Sequence, residues 1–415
     1  MTNSKSQVMS EQNKPFIQMQ STEKYQPQEK LFLRKTGKQQ FLIGVPKETI
    51  LQEKRVAIVP SAAALLVENG HRVIIERGAG LLANFEDRQY AEAGAELMNT
   101  AQEVFQADII IKVAPPTLEE IRLMKDRIIL ISSLHIRAQD KNYYRALMNK
   151  KITALSYEHI RNQSNEHPVL HSISEIVGNT SILIAAHYLA SPQWGRGKML
   201  GGFTGINPSE VVILGAGIVA EGAAKAAIGL GAMVKVFDNS ISKLRRLQNN
   251  LQSPIYTSIL QPDVLAQALS TADVAIGAIY IRSGDSLQIV SEAMIQKMKK
   301  GSIIVDVSID RGGCFETSKE TNHLDPVYQQ FGVTHYCVPN ISSRTPHTAS
   351  YALSNYFAPF LLEMADYGGI SPLLIEDQGI RSGIYLFHGK LTFSHVAKQF
   401  NLGYQDLSLI LATFR

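Results

Sequence analysis

Apolar positions along this chain come in two textures. Short unbroken apolar runs alternate with stretches in which apolar residues recur every three or four positions, which predicts strands alternating with helices. The runs at 41–46, closed by Pro46, and at 72–76, 107–113, 127–134 and 152–157 are strand candidates. Pro60 opens a predicted helix over 60–70, and Gly70 ends it in the usual C-terminal position. A long helix is predicted over 174–190, opened by Ser174 and Glu175. Beyond it, strand candidates at 211–214, 233–237, 255–258, 274–279, 302–307 and 334–337 again alternate with helices, and a final helix is predicted over 349–365. Runs apolar on both faces belong to parallel strands covered by helices on either side. No internal repeat of fixed period is present. The expected fold is α/β, with two doubly wound, Rossmann-like lobes joined by long crossing helices and a cleft between them.

The most informative stretch is 211–238, VVILGAGIVAEGAAKAAIGLGAMVKVFD. It is strand, glycine turn, small-residue helix, strand, then an acid. Gly215 permits a tight turn out of the first strand. Gly217 lets the backbone approach a pyrophosphate, which then lies on the helix N-terminus, and Ala220 permits close helix–strand packing. Asp238 stands about 20 residues past the glycines, where a carboxylate accepts both ribose hydroxyls and repels a 2′-phosphate. This points to NAD rather than NADP. Lys243, Arg245 and Arg246 lie just downstream and fit a solvated helix face. On this basis 171–345 is expected to be the NAD-binding domain. The segments 41–170 and 346–415 would together form a discontinuous substrate and catalytic domain.

Composition narrows the partners. Residues 1 to about 40 are rich in Gln, Lys, Ser and Asn and poor in branched apolar residues, so they are expected to form a mobile tail. A net charge of +4 over 415 residues, with no Lys/Arg cluster interleaved with aromatics, gives no footprint for nucleic-acid binding. Only two cysteines occur, Cys314 and Cys337, which fits a reducing cytoplasm rather than a disulfide framework. The N-terminus lacks the apolar core of a signal peptide, and no uninterrupted apolar run reaches the roughly 18 residues that span a bilayer. A soluble, cytoplasmic protein without membrane partners is expected.

Four polar residues sit in apolar settings where they are costly without a partner or a task. Lys112 ends the run at 107–113 and precedes Ala-Pro-Pro, placing its ammonium at the carboxyl end of a buried strand, the edge that faces the ligand crevice in an open α/β sheet. A lysine snorkelling to water fits the same position. His135 follows the next strand and could exchange a proton near neutral pH, or be a satisfied edge histidine. Arg55 could offer a planar fork to a carboxylate, or make a surface salt bridge. Asp310 precedes Arg311-Gly312-Gly313 and could orient a water, or cap a turn. Three of the four lie just past a predicted strand. Cys314, beside this loop, fits a small core residue better than a nucleophile.

The chain also resembles a known family. IGVPKE at 43–48, EKRVAIVP at 53–60, KVAPP at 112–116, SLHI at 133–136, SEIVGN at 174–179, GRGKMLGG at 195–202, VVILGAGIVAEGAA at 211–224, VDVSIDRGGCFET at 305–317 and HYCVPN at 335–340 are similar, in order, to bacterial alanine dehydrogenases. That family shares its fold with the NAD-binding subunit of proton-translocating transhydrogenase and with opine-forming relatives. The resemblance implies oxidative deamination of L-alanine to pyruvate and ammonia, with NAD as cofactor and a homohexamer or dimer as the assembly. Arg55 and Lys112 would bind the substrate, His135 would be the general acid/base, and Asp310 the second catalytic residue. Ser174, Asp238, Lys243, the Ile279-Tyr280 turn, Val307, Ser308, Ile309, Asp310, Val338, Asn340 and Ile341 would contact NAD, alongside the glycines. Asn179, Thr180 and Leu183 depart from the family pattern in the long helix. The histidine partner of Glu158 in the family's metal site falls at Tyr367, so no metal is expected. The segment 369–415 is longer than the family's usual ending and has helix-turn-helix-like apolar spacing, which fits a packing appendix better than a DNA reader. An opine-type dehydrogenase and a transhydrogenase-like NAD-binding subunit are the alternatives.

Overall fold

In the computed structural model the described residues are 39–50, 52–279 and 289–413. The first six strands are β1 (Leu42–Val45), β2 (Arg72–Glu76), β3 (Glu96–Met98), β4 (Ile109–Ile111), β5 (Ile129–Ser132) and β6 (Thr153–Ser156). The next seven are β7 (Glu210–Leu214), β8 (Met233–Phe237), β9 (Tyr256–Ser258), β10 (Val274–Gly277), β11 (Ile303–Asp306), β12 (Val327–Gln330) and β13 (Val333–Tyr336). Late in the chain come β14 (Ile384–Phe387) and β15 (Lys390–Leu391). The order in one sheet is β15-β14-β6-β5-β4-β1-β2-β3, and in the other β12-β13-β11-β10-β7-β8-β9. Pairing is parallel throughout except at β14–β6, β14–β15 and β12–β13. Both sheets therefore wind outward in two directions from one point, between β1 and β4 in the first lobe and between β7 and β10 in the second. The α/β fold with two doubly wound lobes is as the pattern predicts.

The central strands carry isoleucine and valine on both faces, and each face has its own apolar core. Ile43, Ile109 and Ile131 pack under one face of the first sheet, and Ile110, Leu130 and Ala154 under the other. Val211, Ile213, Ile276 and Val305 sit opposite Val212, Leu214, Ala275 and Ile304 in the second. Two long helices tie the lobes together. The helix Pro346–Asp366 buries Leu353, Phe357 and Leu361 in the core of the first lobe. The helix Pro168–Ala190 is long and apolar enough to cross a membrane by length and composition, but here it lies along the helix Ile218–Gly229. At that crossing a Cβ on Gly178 would stand 2.2 Å from the Val219 carbonyl oxygen, so only glycine allows the two backbones to meet.

The structure corrects several element expectations. The long helix begins at Pro168, not Ser174, because Pro168 occupies the first helical position, where its missing N–H costs nothing. The strand β3 has only three residues, all half-buried, and is too short to show a period. The strand β12 is a half-buried antiparallel edge whose two glutamines hide it. The segment after 369 is not only helical. It contributes β14 and β15 to the first sheet, and its two terminal helices, Ser394–Phe400 and Leu407–Ala412, bury Val396 and Ala397 on one face of that sheet and Leu407 and Leu411 on the other. The expected mobile tail, up to residue 38, lies outside the described residues.

Candidate functional site

Ligands of open α/β sheets bind beyond the carboxyl ends of the strands where the winding reverses. In the first lobe that place lies between β1 and β4, and Glu48 and Lys112 follow these two strands directly. The Lys112 ammonium is fully buried. It donates to Glu120 Oε1 at 2.8 Å and stands 3.5 Å from Glu48 Oε2, and both carboxylates are themselves almost wholly buried. Thr49 Oγ1 also donates to Glu120, at 3.0 Å. Burial works against the charge on Lys112, but Glu48 and Glu120 outweigh it and its pKa is raised. Burial pushes the Glu48 carboxyl up to about 7, against the pull of Lys112 and of the Val113 N–H, which donates to it at 2.6 Å.

Arg55 lies on the irregular segment between β1 and the helix Pro60–Glu68, and is itself buried. Its Nε and Nη2 donate to the two oxygens of Glu53 at 2.8 and 2.7 Å. Burial alone would lower its pKa, but the charge and hydrogen bonds of Glu53 dominate and raise it. This bidentate pair uses one edge of the guanidinium fork. The field of Glu48 also reaches Arg55, so the two cations share one acidic neighbour.

His135 follows β5 with its backbone in the left-handed region, φ 42° and ψ 58°. A non-glycine residue held there carries strain on the order of 1–3 kcal/mol, a cost often found at functional positions. Its side chain is 52% exposed, and its Nε2 stands 3.7 Å from Glu158 Oε1. The other oxygen of Glu158 accepts the Leu134 N–H at 3.1 Å. Tyr157 joins the two halves of the site. Its hydroxyl donates to the Val113 carbonyl at 2.8 Å, its ring is buried, and the charges of Arg55, Glu158 and Glu53 all act on it, while burial raises its pKa.

The second lobe carries the dinucleotide elements. Gly215 has φ 108°, and a Cβ there would lie 2.5 Å from the Ala278 carbonyl oxygen, so the turn demands glycine. A Cβ on Gly217 would meet nothing within 4 Å, which leaves open space over the N-terminus of the helix Ile218–Gly229. No side chain caps that terminus, so its N–H groups face this space. Asp238 accepts the Ala216 N–H at 2.8 Å and the Ser240 N–H at 2.7 Å, which fixes the carboxylate beside the glycine turn. These features fit a dinucleotide. Ser174 is half-buried on the crossing helix, one turn before Gly178. Lys243 is exposed on the helix Ile241–Leu251. Ser308 Oγ donates to the Ile279 carbonyl at 2.8 Å, tying the end of β10 to the loop after β11. Val307 is half-buried, Ile309 and Ile341 are nearly buried and Val338 wholly so, while Asn340 is exposed with φ 55°. Tyr280 lies outside the described residues.

Asp310 sits on the short 3-10 turn Ile309–Arg311, half-exposed and 3.8 Å from Arg311. Burial lowers the pKa of His159 in the first lobe, and the charge of Arg311 adds a smaller push in the same direction. The loop is shaped by Asp306, a buried carboxylate at the end of β11. It accepts the Ser318 hydroxyl at 2.6 Å and the N–H groups of Cys314 and Ser308 at 2.8 and 3.1 Å. Burial raises its pKa to about 6. Cys314 and Cys337 are free, buried thiols.

Thus Arg55, Lys112 and His135 lie along one edge of the first sheet, linked through Glu48, Tyr157 and Glu158, while Asp310 lies on the turn after β11 in the second lobe. Glu48, Glu53, Glu120, Tyr157 and Asp306 are absent from the candidates drawn from sequence. A fully buried lysine must have a carboxylate nearby, and that requirement was the one available signal for Glu48 and Glu120.

Comparison with known proteins agrees with this geometry. Residues 44–177 match the model of the alanine dehydrogenase/PNT N-terminal domain, and 181–394 that of its C-terminal domain. The chain is 41% identical over 365 residues to the alanine dehydrogenase of Methanococcus maripaludis, covering 88% of this chain and 97% of that one. To the alanine dehydrogenase of Bacillus subtilis it is 37% identical over 365 residues, covering 88% and 95%. Its structure superposes on that of an L-alanine dehydrogenase with a TM-score of 0.82 at 36% identity, covering 87% of this chain and 99% of that one. A transhydrogenase from Sinorhizobium meliloti, at 23% identity and a TM-score of 0.73, shares the fold. With the two family models matched in turn over 44–177 and 181–394, the chain belongs to the alanine dehydrogenase/PNT family.

Proposed function

We propose that this protein catalyses the reversible NAD-dependent oxidative deamination of L-alanine to pyruvate and ammonia. What supports the reading is the set Arg55, Lys112 and His135 along one sheet edge, two buried cations and one exposed imidazole, together with the glycine turn after β7 in the second lobe. The catalytic lobe comprises 41–170 and 346–415, and the nucleotide lobe 171–345. The protein acts as a soluble, cytoplasmic homo-oligomer on small molecules.

In this reading the free edge of the Arg55 fork takes the substrate carboxylate, and the Lys112 ammonium polarises the oxo group of pyruvate or the carbon that becomes it. Bound NAD supplies a hydride acceptor at the nicotinamide C4. The Gly215–Gly217 turn would hold its pyrophosphate and Asp238 its ribose hydroxyls, and Ser174, Lys243, Ile279, Tyr280, Val307, Ser308, Ile309, Val338, Asn340 and Ile341 would complete its contacts. Once the Cα hydrogen has left, water adds to the iminium carbon and His135 takes its proton. Glu158, 3.7 Å away, steadies the imidazolium that results. Asp310 orients that water from the opposite lobe. The carbinolamine then collapses to pyruvate, and ammonia leaves.

The test is NADH oxidation with pyruvate, with and without ammonium, and with ornithine or lysine in its place. Turnover that depends on ammonium is expected, and turnover only with the larger amines would overturn the reading. His135→Ala is expected to lower turnover by roughly 10²–10⁴-fold, the usual worth of a proton shuttle, with NADH affinity little changed. Wild-type turnover in that variant removes His135 from the mechanism.

A further inference from the structure

Glu53 is a buried carboxylate with partners on both lobes. Its Oε1 accepts Arg55 Nε at 2.8 Å and the Arg55 backbone N–H at 3.0 Å, and the Ser343 hydroxyl, which donates to the Gln52 carbonyl at 2.8 Å, stands 3.3 Å from it. Its Oε2 accepts Arg55 Nη2 at 2.7 Å and Asn340 Nδ2 at 2.9 Å. Asn340 and Ser343 belong to the turn after β13, in the nucleotide lobe, and Asn340 holds a left-handed backbone, φ 55°, as it caps the 3-10 turn Ile341–Arg344. A second tie runs beside it. The His323 N–H donates to Gln52 Oε1 at 2.6 Å, and His323 Nε2 is 3.3 Å from the Asn340 carbonyl.

An arginine that only needed a counter-charge could be served by a carboxylate with no other contacts. Here the carboxylate that holds the guanidinium through both oxygens also holds, through Oε2, the amide of the opposite lobe, so a shift of either is felt by the other. We propose that Glu53 is a positioning residue that links the two ligands: it makes the setting of the Arg55 fork depend on the Asn340–Ile341 turn, so that seating the dinucleotide sets the fork for a carboxylate. Linkage is reciprocal, so a bound carboxylate must tighten the dinucleotide by the same factor. The inference rests on the roles given above to Arg55 and Asn340.

The experiment is titration of NADH by its fluorescence with and without saturating pyruvate, ammonium being absent. In the wild type pyruvate is expected to tighten NADH by a factor within the usual allosteric range, roughly 5–150. Glu53→Gln removes the charge that orders the fork. Its factor is expected to fall to about one, with NADH affinity in the absence of pyruvate within about threefold of wild type. Glu53→Asp keeps the charge beside Arg55 but is one methylene too short to reach Arg55 and Asn340 together. It is expected to bind pyruvate yet lose the coupling, which a merely structural ion pair would not do, and it decides the matter alone if the Gln variant does not fold. Wild-type coupling in the Asp variant, or no coupling in the wild type, overturns the proposal. A wild type that shows the coupling without turnover overturns the proposed reaction and leaves this link standing.

Discussion

Lys112 shows how much a single buried charge demands of its surroundings. Its ammonium is held by two carboxylates that have no other cation as close among the described residues, so replacing it with methionine leaves Glu48 and Glu120 buried and uncompensated. Removing one partner of a buried ion pair typically costs about 3–5 kcal/mol. The carboxyls can relieve this by taking up protons, and Glu48 already titrates near 7. Its folded pKa lies above the 4.5 of an exposed glutamate, so the stability linked to its protonation is complete below about pH 4.5 and is lost as pH rises through 7. Without the ammonium that pKa moves further up. Urea unfolding of Lys112→Met is therefore expected to show a larger loss against wild type at pH 8 than at pH 6, and an equal loss at both would contradict this account. From sequence, Lys112 stood out because its neighbours are isoleucines. Glu48 and Glu53 did not, because an acid at the mouth of a loop looks the same whether it meets water or a cation brought from another strand.

At the scale of elements, the helix Pro168–Ala190 joins the two lobes. It carries Ser174, and one turn later its Gly178 meets the helix Ile218–Gly229, whose N-terminus follows the Gly215–Gly217 turn. An added methyl at Gly178 would strike the Val219 carbonyl and the Ala223 amide, backbone atoms that cannot rotate aside. Overpacking of this kind costs roughly 1–3 kcal/mol. Gly178→Ala should lower the urea midpoint accordingly, whereas Gly229→Ala, where the added carbon meets nothing within 4 Å, should not. Hydrophobic period located most of the elements of both sheets, because buried parallel strands are apolar on both faces. It failed where an edge is half wet, as at β12, or where a run of three is too short to show a period, as at β3. Nor could it reveal the glycine contact, since the spacing of small residues on one helix does not say which helix will cross it.

For the molecule as a whole, binding is expected to report which dinucleotide the nucleotide lobe accepts. A ligand that binds only the folded state stabilises it by about 2.7 kcal/mol at a concentration a hundred times its Kd. Asp238 is fixed beside the glycine turn by two backbone N–H groups, and its carboxylate repels a 2′-phosphate. Thermal unfolding should thus shift upward with NADH and much less with NADPH at equal concentration, and an equal shift would remove Asp238 from that role. The two-lobed plan was legible in the sequence because the glycine fingerprint and the alternation of strands and helices each specify a doubly wound sheet. The hydrogen bonds that Glu53 makes across the lobes were not, since they join residues 287 and 290 positions apart.

The placement of β14 beside β6 bears on how the chain is made. The second sheet has its last strand when Tyr336 is joined, but the first waits for Ile384–Phe387 before the outer rim of β6 finds a partner. Until the ribosome has passed that point, an unpaired strand rim stays open to other nascent chains. The stretch Ile384–Leu391 is thus what closes the open rim of the first sheet against aggregation.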